Sequence, residues 1–312
     1  MKHSFDVLVV GGGHAGLESA LISAHRGCST ILVTQDPNAI GRMSCNPAIG
    51  GLAKGQMVRE IDVLGGNMGL FSDFSGIQFK VLNQSKGRSV WSPRAQIDKR
   101  VYEKIAKDKV CSTKKITVCA GEVVSVEPKG DSFLGYLRDD TVFLIKTVVV
   151  TCGTFLSGKI HIGERKILAG RMGEERSEGI TESLKELGLK SGRLKTGTPP
   201  RLKANSIDWG LAKKELGDKN PIPFSYQTSN FNPPNIPCFT VKTNILSHNL
   251  IKENMERSPM FSGDVSGVGP RYCPSIEDKV SRFKNQNSHL LHLEPEWINS
   301  DQIYLNGFST SL

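Results

Sequence analysis

The 312-residue sequence lacks any long uncharged apolar run, with 38% hydrophobic residues and a mean hydropathy of −0.25. A membrane-spanning helix needs about 20 consecutive, mostly apolar residues, so we expect no membrane span. Residues 1–4 lead directly into an apolar strand pattern and leave no room for a signal or transit peptide. These absences favour a soluble, cytoplasmic protein, and the length suits two domains.

Closely spaced cysteine pairs are also absent. None of the seven cysteines forms a C-x-x-C pair, which argues against a zinc ribbon, a thioredoxin-like motif and an adjacent redox disulfide. No histidine pair is accompanied by further ligands at metal-binding spacing, so we predict no metal site. Thiols in a cytoplasm stay mostly reduced, and each cysteine is therefore judged by its surroundings.

Acidic residues are outnumbered, with 31 Asp and Glu against 40 Lys and Arg, which gives a formal net charge of +9. The basic residues are spread along the chain rather than gathered in a tail. This surplus is consistent with a polyanionic partner such as RNA, and equally with ordinary solubility, so charge alone does not choose between them.

A glycine-rich turn follows the first apolar run, 5–10, and precedes a stretch of small residues. The turn consists of Gly11, Gly12, Gly13, His14, Ala15 and Gly16. Strand, glycine turn and helix together form the context that a dinucleotide-binding motif requires. Gly11 permits the tight turn, Gly13 lets the backbone approach a pyrophosphate, and Gly16 lets helix and strand pack closely.

The next apolar run, Thr30 to Thr34, predicts a second parallel strand. Dinucleotide-binding proteins usually carry an acidic ribose ligand about 20 residues beyond the glycines. Asp36 has this spacing but lies past the strand end, where Thr34 occupies the usual place. The ribose-contacting residue is therefore Thr34 or Asp36.

Apolar periodicity and capping residues predict three further helices. They are 53–64 with Met57, Ile61 and Leu64 on the buried face, a helix capped by Ser92 with Pro93 at its first position and Ile97, Val101 and Ile105 inward, and 177–187 capped by Ser177. Prolines become frequent after the turn-rich segment 196–201. We therefore expect a Rossmann-like α/β domain over 1–196 and a second, inserted domain of mixed α/β structure over 197–312.

Cys273 is the cysteine whose surroundings favour reactivity. Pro274 suits the first turn of a helix, which would place Cys273 at the N-cap. A thiol there faces free N–H groups and the positive end of the helix dipole, which stabilise a thiolate. Cys45 lies in a second glycine-rich loop without a neighbouring cysteine, and a pairing of Cys45 with Cys273 in space stays open.

These segments together resemble the GidA or MnmG family of tRNA uridine 5-carboxymethylaminomethyl modification enzymes. The matching segments are 11–16, 43–51, 94–96 with Asp98, 153–156, 158–163, 193–201 and 269–283. They cover essentially the whole chain in the family's order. The resemblance implies a glutathione-reductase-like FAD-binding fold and addition of a carboxymethylaminomethyl-type group to C5 of the wobble uridine. It also implies NADH or NADPH as reductant, a folate one-carbon donor, a homodimer and an MnmE-type GTPase partner.

The resemblance also implies residue roles. FAD contacts fall on the glycine turn, Val123 and Ser177, functional cysteines on Cys45 and Cys273, and contacts to the nicotinamide nucleotide on Gly269, Pro270, Arg271, Tyr272, Pro274, Ser275, Glu277 and Lys279. Because the family is roughly twice this length, the later flavin-binding segment and the helical C-terminal domain are expected to be missing. The alternatives are a flavoprotein disulfide reductase and a non-catalytic FAD-binding fragment.

Overall fold

The computed structural model describes residues 3–259, 261–262 and 274–312. The helices are α1 (His14–His25), α2 (Lys54–Val63), α3 (Met68–Ser75), α4 (Lys99–Ser112), α5 (Ile180–Glu186), α6 (Ile245–Glu253) and α7 (Ile276–Arg282). The strands are β1 (His3–Val10), β2 (Thr30–Thr34), β3 (Ala48–Gly50), β4 (Gly76–Leu82), β5 (Ser92–Ile97), β6 (Ile116–Ala120), β7 (Val123–Lys129), β8 (Ser132–Leu137), β9 (Val142–Val150), β10 (Ile160–Ile162), β11 (Arg165–Ile167), β12 (Arg201–Lys203), β13 (Lys213–Glu215), β14 (Cys238–Lys242), β15 (Leu290–Pro295) and β16 (Gln302–Asn306).

The largest sheet has the strand order β6-β2-β1-β9-β8-β7, with β6, β2, β1 and β9 parallel and the last two strands antiparallel. Alternate residues of β1 enter two separate cores. Val7 and Val9 pack with residues of α1 and α4, whereas Leu8 and Val10 pack with Ile180 of α5 and residues of β7–β9. A parallel sheet covered on both faces is the expected doubly layered α/β arrangement. The predicted Rossmann-like class is confirmed.

Two antiparallel sheets pack together beside this layer. One has the order β3-β5-β4, and the other has the order β12-β16-β15-β14-β13. Gln78 Nε2 joins them by donating to the carbonyl oxygens of Glu215 at 3.0 Å and Ile236 at 2.7 Å. Gln96 Nε2 donates to Pro295 O at 2.9 Å. The second sheet draws its strands from the proline-rich part of the chain, and the domain boundary at 197 stays a prediction.

The helix predicted from Ser92 is wrong. Ser92, Pro93 and Ile97 lie in β5, and the helix begins at Lys99, where the Asp98 carboxylate accepts bonds from Arg100 N and Val101 N. β3 ends at Gly50, opposite Arg94, so Pro93 lies beyond the last β3 pair, where its missing N–H costs no ladder bond. The inward face of α4 is accordingly different: it carries Tyr102, Ala106 and Val110, while Val101 is exposed.

Two other helices differ from prediction in detail. α2 lies where expected, but it buries Gly55, Val58 and Asp62 and leaves Met57 and Leu64 exposed. α5 begins at Ile180 after Gly179, and Ser177 instead exchanges backbone hydrogen bonds with Phe155 and Ser157 in the preceding segment. Within the described ranges, no helix combines the length and apolar character that a bilayer crossing demands.

Candidate functional site

The glycine turn joins the end of β1 to the start of α1. Gly11 has a φ of +102°, and its N–H donates to Val33 O at 2.8 Å. Thr151 Oγ1 braces the turn by donating to Val10 O at 2.8 Å and Gly11 O at 3.0 Å. Gly13 is the N-cap of α1 and provides no side-chain cap, so the first N–H groups of the helix are offered outward.

Added Cβ atoms distinguish the three motif glycines. A Cβ on Gly11 would lie 2.8 Å from Thr151 O, and one on Gly16 would overlap the carbonyl oxygen of Gly11. A Cβ on Gly13 meets no atom within 4 Å. Gly11 and Gly16 therefore serve the packing of the turn, and Gly13 borders open space at the helix N-terminus. This arrangement fits the diphosphate of a dinucleotide such as FAD.

His14 belongs to the turn but contributes little basicity. Its half-buried ring stands edge-on to Tyr102 at a centroid distance of 5.5 Å, and Nδ1 is enclosed without a hydrogen-bond partner among the described residues. Burial, aided by the nearby charge of Lys54, lowers the pKa of His14 to about 4. His14 is therefore neutral near pH 7 and packs as part of the turn.

The two candidate ribose residues lie in different surroundings. Thr34 Oγ1 would be 3.1 Å from a Cβ on Gly12, so this hydroxyl lies against the glycine turn. Asp36 instead accepts from Asn38 N at 2.8 Å and faces Arg42 at 3.5 Å. The geometry places Thr34 against the motif, while Asp36 is already engaged by its own loop.

Val123 and Ser177 are both largely buried. The Val123 side chain belongs to the core beneath the large sheet, which leaves its backbone for any contact with a cofactor. Ser177 N donates to Phe155 O at 2.9 Å, and Ser177 O accepts from Ser157 N at 2.9 Å. Their predicted FAD contacts stay predictions.

Cys45 lies in a polar cluster that the sequence did not indicate. Its exposed Sγ is 3.4 Å from the hydroxyl of Tyr304, a side chain that is only 2% exposed. Arg201 Nη2 donates to Cys45 O at 2.7 Å and to Ser44 O at 3.4 Å, and the same guanidinium stacks over the Tyr304 ring at 4.9 Å. Lys54 adds a further positive charge that interacts with Cys45.

A carboxylate beneath this cluster fixes Arg201. Glu296 Oε1 accepts from Arg201 Nε at 2.9 Å and from Lys99 Nζ at 3.2 Å, and Glu296 is 4% exposed. This buried carboxylate favours one orientation of Arg201, because turning the guanidinium away would leave Glu296 with Lys99 as its only cation. The cluster thus holds the Cys45 loop against β12 and β16.

A cavity of about 680 Å³ lies between β4 and β5 on one side and β13–β15 on the other. Its charged lining residues are Lys80, Arg94, Lys213, Lys242, Glu215 and Glu294. Both carboxylates are paired, Glu294 with Arg94 at 2.6 Å and Glu215 with Lys213 at 2.9 Å. The lining therefore carries a cationic surplus, and its volume lies in the range of small-molecule sites.

The cavity and the Cys45 cluster share one row of side chains. Arg201 opposes Tyr304 across β12 and β16, and Tyr304 opposes Glu294 across β16 and β15. Directly opposed residues of antiparallel strands point to the same face, about 5 Å apart. Glu294 lines the cavity, so the cavity begins one strand away from the tyrosine that contacts Cys45.

The helix after Cys273 begins later than predicted. Its N-cap is Ser275, which forms a capping box with Asp278 at 3.2 Å, so the predicted N-cap position of Cys273 is wrong. Sequence carried this signal in the Ser-x-x-Asp spacing. On this helix Val280 is buried, whereas Phe283 is exposed.

The other residues carried over to this helix have structural partners. Glu277 is fully buried, and its Oε1 accepts from Ser311 N at 2.9 Å and Thr310 Oγ1 at 3.0 Å. Lys279 Nζ donates to Gly307 O at 2.8 Å. Pro274 is half-buried just before the cap. These bonds fasten α7 to 307–311, and contacts of Pro274, Ser275, Glu277 and Lys279 with a nucleotide stay predictions.

Five predicted residues lie outside the described residues: Gly269, Pro270, Arg271, Tyr272 and Cys273. The six cysteines that are described are free thiols. Over 3–259, 261–262 and 274–312, no group of three or more His, Cys, Asp or Glu side chains is placed to hold a metal ion.

Comparison with known proteins identifies the family. The profile of the GIDA family, described as glucose inhibited division protein A, matches residues 6–312. This chain belongs to the GidA family. It is 50% identical over 311 residues to the tRNA uridine 5-carboxymethylaminomethyl modification enzyme MnmG of Nitratiruptor sp., covering 99% of this chain and 50% of that protein. The Helicobacter pylori protein of the same name is 47% identical, with coverage of 100% and 50%.

The fold comparison agrees. Aquifex aeolicus GidA in its form I crystal superposes with a TM-score of 0.92 at 43% identity, covering 99% of this chain and 53% of that one. The form II crystal gives 0.91 at 42% identity, with coverage of 99% and 50%. The chain spans about half the length of the curated GidA relatives that it matches.

Proposed function

We propose that this chain is the FAD-binding half of an enzyme that adds a carboxymethylaminomethyl-type group to C5 of the wobble uridine in tRNA. The observation that carries the proposal is the open N-terminus of α1 beside Gly13, on a chain of the GidA family. A relative with 50% sequence identity is named for this activity. The surplus of basic residues suits a polyanionic substrate.

The glycine turn holds the cofactor in this proposal. Backbone N–H groups at Gly13 and the first turn of α1 bind the FAD diphosphate, and Thr34 Oγ1 is the ribose contact we favour over Asp36 because it lies against Gly12. Bound FAD would supply electron transfer, with NADH or NADPH as the reductant. Val123 and Ser177 would line the same groove, and residues 269–279 would contact the nicotinamide nucleotide.

Cysteine chemistry completes the site. A thiolate of Cys273 or Cys45 adds to the uracil ring or to the one-carbon adduct, which activates C5 of a ring that is otherwise a poor nucleophile. Cys45 is exposed and lies beside Tyr304, Arg201 and Lys54, which suits a reacting thiol. Cys273 keeps its role on the family pattern alone.

The cationic cavity suits the one-carbon donor. A folate carries carboxylates, and Lys80, Lys213 and Lys242 line the rim of a volume large enough for a heterocycle with an anionic tail. The cavity lies one strand from the Cys45 cluster. We therefore place the folate donor between β4, β5 and β13–β15.

Two partners belong to the proposal on the family pattern. We propose a homodimer in the cytoplasm and an association with an MnmE-type GTPase through the C-terminal region that the relatives have beyond the matched half. Size-exclusion chromatography with light scattering tests the dimer, and co-purification with the GTPase tests the partnership. A monomer would contradict the dimer, and a full-length protein that captures no GTPase would contradict the partnership.

The visible spectrum of the purified protein tests cofactor binding first. We expect a bound yellow flavin whose visible band is bleached by NADH or NADPH without oxygen. A colourless protein that does not take up added FAD would contradict the proposal and leave a non-catalytic fragment. Turnover of a thiol–disulfide substrate with NADPH would support a disulfide reductase instead.

Nucleoside analysis tests the reaction. The full-length gene should restore the modified wobble nucleoside to tRNA from cells that lack this activity, as measured by mass spectrometry. Cys45→Ser and Cys273→Ser should each abolish modification while FAD stays bound, and Cys111→Ser, an exposed cysteine of α4, is the matched control. Full modification in either test variant removes that cysteine from the mechanism.

A further inference from the structure

Tyr304 is a buried tyrosine whose hydroxyl contacts an exposed thiol. Its ring is 2% exposed, and its Oη lies 3.4 Å from Cys45 Sγ, a residue 259 positions away in the sequence. Buried tyrosine hydroxyls need a hydrogen-bond partner, and here the recorded partner belongs to a loop at the surface. The contact is thus a property of the folded site and of no local motif.

Three groups determine which atom carries the proton. Burial, followed by the proximity of Cys45, raises the pKa of Tyr304 well above its usual range. Glu294 pushes the pKa of Tyr304 in the same direction, and Arg201 opposes them. Tyr304 therefore keeps its proton near pH 7. Its O–H is a donor toward the sulfur, and an ionised sulfur is the stronger acceptor.

Positive charge surrounds the sulfur from the other elements packed against it. Arg201 of β12 holds the Cys45 and Ser44 carbonyl oxygens, and Lys54 of α2 interacts with Cys45 across the loop. The two carboxylates beside this cluster are both paired, Glu296 with Arg201 and Lys99, and Glu294 with Arg94. The charged side chains that act on the Cys45 loop among the described residues are therefore the cations Arg201 and Lys54.

We propose that Tyr304 is a positioning residue for Cys45. The Tyr304 hydroxyl donates a hydrogen bond that stabilises the Cys45 thiolate and aims it at substrate, while Arg201 clamps the loop that carries the sulfur. The thiol proton leaves to water because Cys45 is exposed. When the sulfur attacks an electrophilic carbon, the S–C bond forms from the sulfur lone pair, and Tyr304 retains its proton throughout. The inference deepens the proposed function but rests on no cofactor and no tRNA.

Alkylation of Cys45 by iodoacetamide tests the hydrogen bond directly. Tyr304→Phe removes the donor and keeps the ring, so the thiolate fraction falls while each thiolate becomes more nucleophilic. With a Brønsted coefficient of about 0.4–0.5, a tenfold loss of thiolate slows alkylation roughly 3-fold at about pH 7. By the same coefficient, it speeds alkylation roughly 3-fold at a pH high enough to ionise the thiol fully in both proteins. Peptide mass spectrometry assigns the label to Cys45.

Two variants and an internal standard control the experiment. Cys111, an exposed thiol of α4, should be alkylated at the same rate in every variant, and Cys45→Ser should remove the assigned label. Arg201→Lys keeps the charge but loses the forked contact to the loop. We therefore expect alkylation of Cys45 to be slower at the lower pH and faster at the higher pH, as in Tyr304→Phe, but by a smaller factor. Circular dichroism verifies that each variant is folded.

Opposite signs at the two pH values are the supporting result. An equal rise of the alkylation rate at both pH values would mean that Tyr304 only shields the sulfur. Unchanged rates in both Tyr304→Phe and Arg201→Lys would mean that Tyr304 does not act on Cys45. Either result overturns the inference. Alkylation needs neither flavin nor tRNA. A failure of the tRNA-modification proposal is therefore distinguishable from a failure of this one.

Discussion

The glycine turn and the Cys45 cluster hold functional atoms in two different ways. The turn is formed by residues adjacent in sequence, and it presents backbone N–H groups on a frame in which Gly16 lies against Gly11. The Cys45 cluster draws on three distant parts of the chain, 45–54, Arg201 and Tyr304, and uses the side chains of Arg201, Tyr304 and Lys54. At the turn, added volume on Gly11 or Gly16 meets backbone atoms, whereas each side-chain contact of the Cys45 cluster can be removed separately.

The difference also separates stability from chemistry. Two glycines of the turn are required by packing, and the third borders open space, so binding and folding are separable within six residues. In the cluster, Glu296 and Arg201 hold the loop, while Tyr304 contacts Cys45 Sγ. Variants in the turn should therefore lower either the unfolding free energy or the affinity for FAD, depending on the position. Variants in the cluster should each change the reactivity of Cys45 by a small factor.

Gly16→Ala should give the largest effect. The added Cβ would overlap the carbonyl oxygen of Gly11 and lie 2.8 Å from the Thr151 side-chain oxygen Oγ1, and the Gly11 backbone cannot yield without opening the turn. Because overpacking costs roughly 1–3 kcal/mol and the obstacle here is backbone, we expect a loss of about 3 kcal/mol of unfolding free energy. Urea denaturation measures it, with Gly192→Ala, an exposed glycine with open space, as the matched control. Equal stability of the two variants would contradict the close packing of turn and helix.

The His14 ring should make the turn acid-sensitive. Its pKa is about 4 in the folded protein and 6.5 when unfolded, so the unfolded state binds the proton more strongly between these values. The contribution of neutral His14 to the unfolding free energy is fully present above pH 6.5 and is lost as the pH drops toward 4. The loss is about 2 kcal/mol after allowance for the half-exposed ring.

Variants assign this slope to His14. His14→Phe keeps an aromatic edge against Tyr102 and should flatten the decline in unfolding free energy between pH 6.5 and 4. His25→Phe, at the exposed end of the same helix, should retain the decline. If His14→Phe keeps the whole slope, acid sensitivity arises elsewhere in the molecule.

Gly13→Ala should separate binding from folding. Its Cβ meets no protein atom within 4 Å, and the backbone at φ −71° accepts alanine. We expect unfolding free energy within about 0.5 kcal/mol of wild type. FAD affinity should fall at least tenfold, equivalent to about 1.4 kcal/mol, because the methyl group occupies the diphosphate position. Fluorescence titration with FAD measures this, and unchanged affinity would place the diphosphate elsewhere.

The same contrast explains what sequence could predict. The glycine turn and β2 were readable because each depends on neighbouring residues and a regular apolar pattern. Ser92 and Pro93 led to a wrong helix prediction because a Ser-Pro pair, taken alone, indicates a helix start. In the structure both lie in β5, and Pro93 lies beyond the last residue that pairs with β3, so its missing N–H costs no hydrogen bond to that strand. The Ser275 capping box was present in the sequence, and the proline beside Cys273 took precedence over it.

The Cys45 cluster was beyond prediction for a physical reason. Tyr304 reaches Cys45 only because β16 pairs with β12 and β15, and no local pattern encodes that long-range register. Arg201 was noticed within a turn-rich segment, but its partners Cys45 and Glu296 lie 156 and 95 residues away. Long-range pairing therefore decides the chemistry of this site, although local sequence decides its fold.

The smallest predicted effect concerns the hydrogen bonds that Thr151 donates to the start of the glycine turn. Thr151 Oγ1 donates to Val10 O and Gly11 O, so Thr151→Val removes a hydroxyl and keeps the shape. We expect a loss of about 1 kcal/mol in urea denaturation. Thr147→Val, at an exposed threonine of β9, the strand that ends just before Thr151, should cost less than about 0.5 kcal/mol. A larger loss of FAD affinity than of stability would mean that Thr151 aligns the backbone donors for the diphosphate, and equal losses would confine its role to folding.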